Sequence, residues 1–331
     1  MVIALLPALA DITAQTQERW VTPRTAWGDP DLTGLWPTTV MVGVPLERDP
    51  ALGTRNVLTD AEFAVRQRLA HEQRDADDAD FSLENARPAA GPELPLRVSG
   101  QVVDNPVAPP PHWLELGTPS RQASLIVDPP NGRLPMLTEE GRQRAEAVAA
   151  RRGNPRSVAD RTLYPRCISR GVVGSVLPMV TDSGNEIMQA PGYVVIRHEM
   201  IHETRIIPLD GRPHLAPAIG QYMGDSRGRW DGETLIVETT NLRGDLAVAV
   251  NGSGTPTLSP KTILKERFTR VAENVLDYQI TVHDPVTWVV PFTIRFPWYR
   301  DQNHTLFEFS CHEGNYAMRN ILAAERVATS K

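Results

Sequence analysis

The sequence lacks most of the features by which common functional classes are recognised. It has no glycine-rich phosphate loop and no dinucleotide-binding fingerprint, so we predict that it uses no cofactor. It has no block of basic residues, and its net charge of −6 argues against a nucleic-acid partner. The apolar run at residues 2–10 is too short to span a bilayer, so we predict no integral membrane segment.

Cysteine is scarce, since Cys167 and Cys311 are the only two among 331 residues. No tight cysteine and histidine spacing of the kind that holds zinc accompanies them. If the protein is exported, a disulfide between the two would close a long loop and contribute about 3–5 kcal/mol. In a reducing compartment both would instead be buried thiols.

The first residues indicate export. The run at 2–10 ends near small residues, which is similar to the end of a secretory signal without its basic beginning. We therefore predict a residual signal segment at residues 1–16 and a periplasmic or secreted protein. The alternative is an apolar N-terminal tail.

The C-terminal half has the pattern of a mainly β fold. Apolar and charged side chains alternate from residue 193 to 207, which predicts one antiparallel strand with His198 and His202 on its buried face. Further strands are predicted at residues 186–189, 226–230, 234–240, 262–271, 275–283, 286–296 and 305–311. Because the connections are short, we predict an up-and-down antiparallel meander that closes into a barrel like that of the lipocalins or calycins.

The N-terminal half contains two helix signals. A capping box at Thr59 and Glu62 predicts a helix to about residue 75, and residues 138–152 begin acidic and end basic, as a second helix would. Trp27 and Trp36 belong to an extended arm that we expect to pack on the body. The predicted organisation is therefore an arm with two helices at residues 17–160 and a β-barrel domain at residues 161–331.

Two short motifs match catalytic strings outside their structural context. Residues 198–202 read H-E-x-x-H, which binds zinc only on a helix; on a strand the two histidines are separated by about 13 Å. Residues 224–228 read G-x-S-x-G, but a predicted hairpin follows them where a nucleophile elbow requires a helix. We interpret the first as part of a strand and the serine of the second as a turn residue.

Several longer strings resemble a family of uncharacterised exported bacterial proteins. They are EMIHETRIIPLDGRPH (199–214), GDSRGRWDGETLIVETTN (224–241), KERFTRV (265–271), DPVTW (284–288) and CHEGNYAM (311–318). The resemblance covers about residues 166–322 and the PRTAWGDPDLTGLW arm, and it implies export without indicating an activity. The hairpin with the pattern GxWxGxTL is similar to those of lipocalin-like barrels, which implies a ligand cavity but no chemistry.

The candidate catalytic groups are titratable side chains placed among apolar neighbours. His202 is the first of them, and Glu308, His312 and Glu313 form a second group near the predicted last strand. The candidate substrate-binding residues are Arg205, Arg227, Trp230, Trp288 and Tyr316. A hydrogen-bonded core histidine, a solvated strand face, ion pairs and core packing are the structural alternatives for these residues.

Three functions follow from these residues, each with a small molecule as partner. The preferred one is a cofactor-independent lyase or isomerase that acts by general acid and base chemistry on a small hydrophobic or aromatic molecule. The second is a non-catalytic binding protein of the lipocalin type. The third is a metal-dependent hydrolase with ligands drawn from separate strands, namely His202, His214, His312 and Glu308 or Glu313.

Overall fold

The computed structural model of the protein describes residues 20–77, 96–98, 101–103, 117–153, 155–181, 183–248, 256–313, 315–316, 318–320 and 322–323. The predicted signal segment at residues 1–16 lies outside this part of the chain.

The fold is mainly β, as predicted, and its strands are β1 (Gly34–Leu35), β2 (Leu96–Val98), β3 (Gln101–Val103), β4 (Ile126–Asp128), β5 (Asn185–Ala190), β6 (Tyr193–His198), β7 (Thr204–Pro208), β8 (Asp225–Asp231), β9 (Thr234–Thr240), β10 (Ile263–Ala272), β11 (Val275–His283) and β12 (Phe292–Tyr299). The α-helices are α1 (Asp60–Asp77), α2 (Glu139–Gly153) and α3 (Gly171–Val176). Among the described helices, none is long and apolar enough to cross a bilayer.

The strands form two large antiparallel sheets and one small hairpin. The first sheet has the order β1-β5-β6-β7 and the second the order β4-β12-β11-β10-β9-β8, whereas β2 pairs with β3. From β5 onward, consecutive strands within each sheet are neighbours, as the short connections predicted. Among the described residues no ladder joins β7 to β8, so the predicted closed barrel is not shown.

The two sheets nevertheless pack around one core. Ile207 and Leu209 lie so close to Gly228 of β8 that a Cβ added there would come within 2.9 and 2.6 Å of their side chains. A glycine is therefore needed where the end of β7 meets β8. At the other edge of the first sheet, Asp301, which follows β12, donates its N–H to the carbonyl of Leu35 in β1 (3.1 Å). Both edges of the first sheet are thus in contact with the second.

Inward-facing side chains fill the space between the sheets. Alternate residues of β10 and β11 are buried, which is the period of strands with one face on the core. Phe268, Tyr278, Phe296 and Trp298 form an aromatic cluster with ring centroids between 4.6 and 5.8 Å apart. Each contributes roughly 1.5–3 kcal/mol by its burial, so this cluster is a main source of stability.

The N-terminal arm contributes an edge strand to each sheet, because β1 pairs with β5 and β4 pairs with β12. Trp36 is fully buried and donates its indole N–H to the carbonyl of Leu32 (2.9 Å). Trp27 is 40% exposed, so of the two predicted anchors only Trp36 belongs to the buried core. The helices α1 and α2 match the predicted ones to within about two residues, and the capping box at Thr59 and Glu62 is present.

The strand predicted for residues 193–207 is in fact a hairpin of β6 and β7. Its tight turn spans Met200–His202, where Ile201 and His202 adopt left-handed φ angles of 59° and 43°. The alternation of side chains could not reveal this turn, because no glycine, proline or asparagine marks it. His198 is buried as predicted, but His202 is exposed on the turn, so its predicted position on the buried face is wrong.

Two other predicted strands differ from the structure. The strand predicted from residue 286 begins only at Phe292, because the Asp284 carboxylate accepts hydrogen bonds from the hydroxyls of Ser259, Thr262 and Thr287 and organises a turn there. The segment 305–311 was predicted as the last strand but is irregular. The outer edge of β12 is already occupied by β4, so this segment has no edge there to join.

Candidate functional site

A cleft separates the two sheets at the beginning of β7 and β8. Ile207 and Leu209, at the end of β7, pack against Gly228 of β8, whereas nearer the beginning of the two strands a volume of about 250 Å³ lies between them. The cleft is lined by Thr204, Arg205, Ile206, Gln221, Met223, Gly224, Asp225 and Ser226. Since β7 pairs with β6 and β8 pairs with β9, the cleft lies between two strand edges that no ladder joins among the described residues.

A buried ion pair lies next to this cleft and connects the two sheets. The guanidinium of Arg205 in β7 binds the carboxylate of Glu266 in β10 with two hydrogen bonds of 2.6 and 2.9 Å, and the Tyr278 hydroxyl donates to the same carboxylate at 3.0 Å. The two charged side chains are 2% and 0% exposed. Burial lowers the pKa of Arg205, but the charge and hydrogen bonds of Glu266 outweigh it and raise that pKa overall. Burial, with Glu266, raises the pKa of Tyr278 well above its usual range, so the phenol stays a hydrogen-bond donor.

His198 is a neutral histidine held in one tautomer. Burial, and then the charge of Arg205, lowers the pKa of His198 well below its usual value. The side-chain amide of Asn185 donates to the carbonyls of Trp36 and Ser183, which leaves its oxygen to accept from His198 Nδ1 at 2.7 Å. The proton therefore sits on Nδ1, and the buried Nε2 is an acceptor without a partner among the described residues.

A second carboxyl group lies behind the wall of the cleft. Glu203 accepts hydrogen bonds from the Ser169 hydroxyl (2.5 Å) and the Arg170 backbone N–H (3.2 Å). Burial raises the pKa of Glu203 despite these donors. The Ser169 hydroxyl also lies 3.9 Å from the sulfur of Met223, which lines the cleft. Ser169 therefore connects Glu203 to the lining of the cleft.

The rim of the cleft carries a histidine and aspartate pair. Asp225 accepts hydrogen bonds from His214 Nδ1 (2.8 Å), the Leu215 N–H (3.0 Å) and Arg227 Nη1 (2.6 Å). Burial acts to raise the pKa of Asp225, but these donors lower it overall, so the carboxylate is ionised at neutral pH. The second ring nitrogen of His214 lies 3.6 Å from Glu238, at the solvent side. The imidazole is thus oriented by one carboxylate and faces another.

The structure brings only part of the predicted site together. Arg205 lines the cleft and Arg227 is bound to Asp225 in its wall. Trp288 is buried in the core, 5.1 Å from the ring of Phe292, and Trp230 is half-buried in β8. The remaining predicted residues are exposed on the β6–β7 turn or on the C-terminal segment, and they are His202, Glu308, His312, Glu313 and Tyr316.

The H-E-x-x-H string has a structural role in place of a metal-binding one. Glu199 is buried and accepts hydrogen bonds from the N–H groups of Gly184 (3.0 Å) and Phe307 (2.8 Å) and from His304 Nε2 (3.1 Å). Burial acts to raise the pKa of Glu199, but these donors lower it, so an ionised carboxylate anchors the C-terminal segment to the β6–β7 turn. In the described part of the chain no three histidine, cysteine, aspartate or glutamate side chains are grouped to hold a metal.

The G-x-S-x-G string lies within a strand. Ser226 belongs to β8, and its hydroxyl is hydrogen-bonded to that of Thr239 in β9 (2.8 Å). It does not have the exposed position of a nucleophile between a strand and a helix.

Sequence reasoning missed Glu266, Tyr278 and Asn185. Glu266 could have been found, because it interrupts the apolar face of β10 between Leu264 and Phe268. A charged residue at such a position requires a buried partner of opposite charge. Asn185 and the phenol of Tyr278 carry no comparable signal, because both residue types are common in strands and turns for other reasons.

Cys167 and Cys311 are joined by a disulfide with a Cα–Cα distance of 5.6 Å. The bond ties the segment before α3 to the C-terminal segment, four residues after Phe307, whose N–H is bound by Glu199. No family model, curated protein or solved structure matches the chain. Function is therefore inferred from the cleft and the charged groups around it.

Proposed function

We propose that the protein binds a small molecule in the cleft between β7 and β8. The observation that carries this proposal is that two neighbouring strand edges diverge beside a buried charged network where a barrel would join them in a ladder. The polar side chains of Thr204 and Gln221 offer hydrogen bonds to a ligand, and Ile206 and Met223 offer apolar contact. A volume of about 250 Å³ is a little below the roughly 300–1,000 Å³ of most ligand sites, so the ligand is small.

The charges around the cleft favour a neutral, polar ligand. Asp225 already accepts hydrogen bonds from His214 and Arg227, and Arg205 is already paired with Glu266. A charged ligand would have to displace one of these partners and leave a buried charge unpaired, which is costly. The site is thus more polar than the hydrophobic pocket expected from the sequence.

The positions of the two sheets also indicate how the predicted barrel is to be understood. We infer that the two sheets are parts of one lipocalin-like barrel that is open at the cleft, with the difference that β7 and β8 run in the same direction there and are not antiparallel neighbours as in an up-and-down barrel. The close approach of β7 to Gly228 and the hydrogen bond between Asp301 and Leu35 support this inference, because they bring both edges of the first sheet to the second. The disulfide supports the proposal that the protein is exported, since such bonds persist mainly in oxidising compartments.

Nuclear magnetic resonance of the Met223 methyl group tests the binding proposal directly. Protein labelled at the methionine methyls is titrated with a library of small neutral polar molecules. We expect a subset to shift the Met223 resonance saturably, and Thr204→Trp, which fills the cleft, to abolish the shift. Val271→Trp, at an exposed position of β10, is the matched control and should leave binding intact. Compounds that bind Thr204→Trp as well as the unaltered protein would place the site elsewhere.

The His214 and Asp225 pair supports a second candidate, a lyase or isomerase without a cofactor. An imidazole whose Nδ1 is held by an ionised carboxylate is oriented as a general base requires. Its Nε2 lies at the solvent side, 3.6 Å from Glu238, so this candidate needs a substrate that extends from the cleft over the rim to that nitrogen. In this version His214 replaces the exposed His202 as the candidate base. A molecule that shifts Met223 should then be converted on long incubation, and His214→Ala should stop the conversion while His71→Ala, on the exposed face of α1, should not. Ligand recovered unchanged would exclude this candidate and leave the binding function.

A further inference from the structure

A second cavity lies at the end of α2, outside the cleft. It has a volume of about 30 Å³, which is room for about two water molecules. The cavity is lined by Arg151, Arg152, Ala159, Asp160, Arg161, Thr162, Leu163, Arg166 and Asp245. Four arginines and two aspartates therefore meet in a space that admits only a small group.

Several hydrogen-bond donors in this lining are buried and unsatisfied. Thr162 is 7% exposed, and its hydroxyl has no partner within the described residues. The same holds for the Nε atoms of Arg161 and Arg166. Buried polar groups in native proteins are nearly always hydrogen-bonded, and all three of these donors belong to residues that line this one cavity, which makes the cavity the place where their acceptor is to be sought.

The positive charges are only partly compensated. Asp160 already accepts hydrogen bonds from the backbone of Arg156 (2.9 Å) and Ser157 (2.8 Å), which caps the turn at Val158–Asp160. Asp245 is exposed. Arg161 donates from Nη1 to the carbonyl of Arg152 (3.3 Å), so one guanidinium nitrogen serves the end of α2, where the helix dipole itself opposes an anion. Arg161 Nε, Arg166 Nε and the Thr162 hydroxyl are donors without a partner among the described residues.

We propose that this cavity binds an oxyanion of the phosphate or sulfate type. Such a group offers several acceptor oxygens within a radius that fits the cavity, and arginine side chains bind it through charge-assisted hydrogen bonds. A larger body cannot enter, so the anion is either free in solution or the end group of a molecule whose remainder stays in solvent. This function is independent of the small-molecule cleft.

Calorimetric titration of the full chain at constant ionic strength tests the proposal. The probes are inorganic phosphate, sulfate, glycerol 3-phosphate and, as a monovalent comparison, acetate. We expect saturable binding of phosphate or sulfate with one site per chain and weaker binding of acetate. Tighter binding of glycerol 3-phosphate than of inorganic phosphate would identify an esterified group as the ligand, and equal or weaker binding would identify the free ion.

Arg166→Gln should raise the Kd for the anion at least about tenfold, because it removes a charged donor. Arg229→Gln, at an exposed position of β8, is the matched control and should bind as the unaltered chain does. If Arg166→Gln does not fold, Thr162→Val decides, since it keeps the shape of the side chain and removes only the hydroxyl, and a rise in Kd is again expected. The proposal is overturned if the unaltered protein shows no saturable binding of any oxyanion, or if the folded variant binds as tightly as the control.

Discussion

At the scale of single residues, the interior is held together by a charged pair that belongs to both sheets. Arg205 comes from β7 and Glu266 from β10, and each is almost completely removed from water. Taking two charges out of water costs several kcal/mol per ion, which the bidentate geometry and the Tyr278 hydroxyl offset. The pair therefore fixes how the sheets are placed while adding little net stability over an apolar pair of the same volume.

This balance predicts a large difference between single and double substitutions. Glu266→Gln leaves the Arg205 charge buried without its counter-ion, so the free energy of unfolding should fall by about 3–5 kcal/mol. Arg205→Met combined with Glu266→Leu removes both charges and should recover much of that loss. Urea denaturation followed by circular dichroism measures both, and Arg267→Gln on the exposed face of β10 serves as the control. Equal destabilisation by the single and the double variant would contradict this account.

His198 predicts a dependence of stability on pH. In the folded state the pKa of His198 is lowered well below its ordinary value near 6.5. As the pH falls below 6.5, His198 therefore takes up a proton in the unfolded chain while it stays neutral in the folded chain. The stabilisation is present above pH 6.5 and is lost as the pH falls below it. His198→Gln should therefore show a shallower loss of stability between about pH 7 and pH 5. His71→Gln, with an exposed side chain, should keep the unaltered slope, and identical slopes in all three proteins would refute the prediction.

At the scale of elements, the C-terminal segment is positioned by a turn and not by a strand partner. Glu199 precedes the turn of the β6–β7 hairpin and accepts hydrogen bonds from His304 and Phe307, and the disulfide holds Cys311 a few residues further along. These contacts explain how an irregular segment keeps one path over the surface of the molecule.

Removal of the Glu199 carboxylate should release this segment locally. Glu199→Ala leaves the N–H groups of Gly184 and Phe307 without their acceptor, at a cost of about 1–3 kcal/mol for the buried Gly184 donor and less for the exposed Phe307. We expect faster hydrogen exchange at residues 304–308, with little change in β10 and β11. Glu308→Ala, whose side chain is exposed in the same segment, is the control. Unchanged exchange in Glu199→Ala would show that the disulfide alone holds the segment.

Prediction from sequence succeeded for strands in which apolar and polar side chains alternate without interruption. The strands at 234–240 and 275–283 have the predicted bounds, because each alternates cleanly and ends at a turn residue. It failed at residues 199–203, where left-handed Ile201 and His202 make a turn without any residue typical of turns. The cleft could not be predicted at all, since it depends on how far two strands diverge when no ladder joins them. Of the predicted binding residues, Arg205 lines the cleft and Arg227 lies in its wall. The ion pair of Arg227 with Asp225 was among the alternatives that the sequence offered, whereas Glu266 was not identified as the partner of Arg205.

At the scale of the whole molecule, the two sheets and the N-terminal arm share one core, and the disulfide ties the C-terminal segment to the rest of the chain. Buried side chains from β5, β6 and β7 belong to the same cluster as those from β9 to β12. The disulfide adds a covalent connection between positions 144 residues apart. Since the core is shared, loosening either the core or the cross-link should affect the stability of the whole chain.

The contribution of the cross-link can be isolated because the chain has no other cysteine pair. Replacing Cys167 and Cys311 by serine frees a loop of 144 residues in the unfolded chain, so unfolding should become easier by roughly 2–5 kcal/mol. The unaltered protein in dithiothreitol should unfold at nearly the urea concentration of the double variant, whereas the double variant should not respond to the reductant. Because the cross-link acts mainly on the unfolded chain, binding of cleft ligands detected at Met223 should persist in the double variant. Loss of that binding without loss of the β signal in circular dichroism would show instead that the disulfide shapes the folded site.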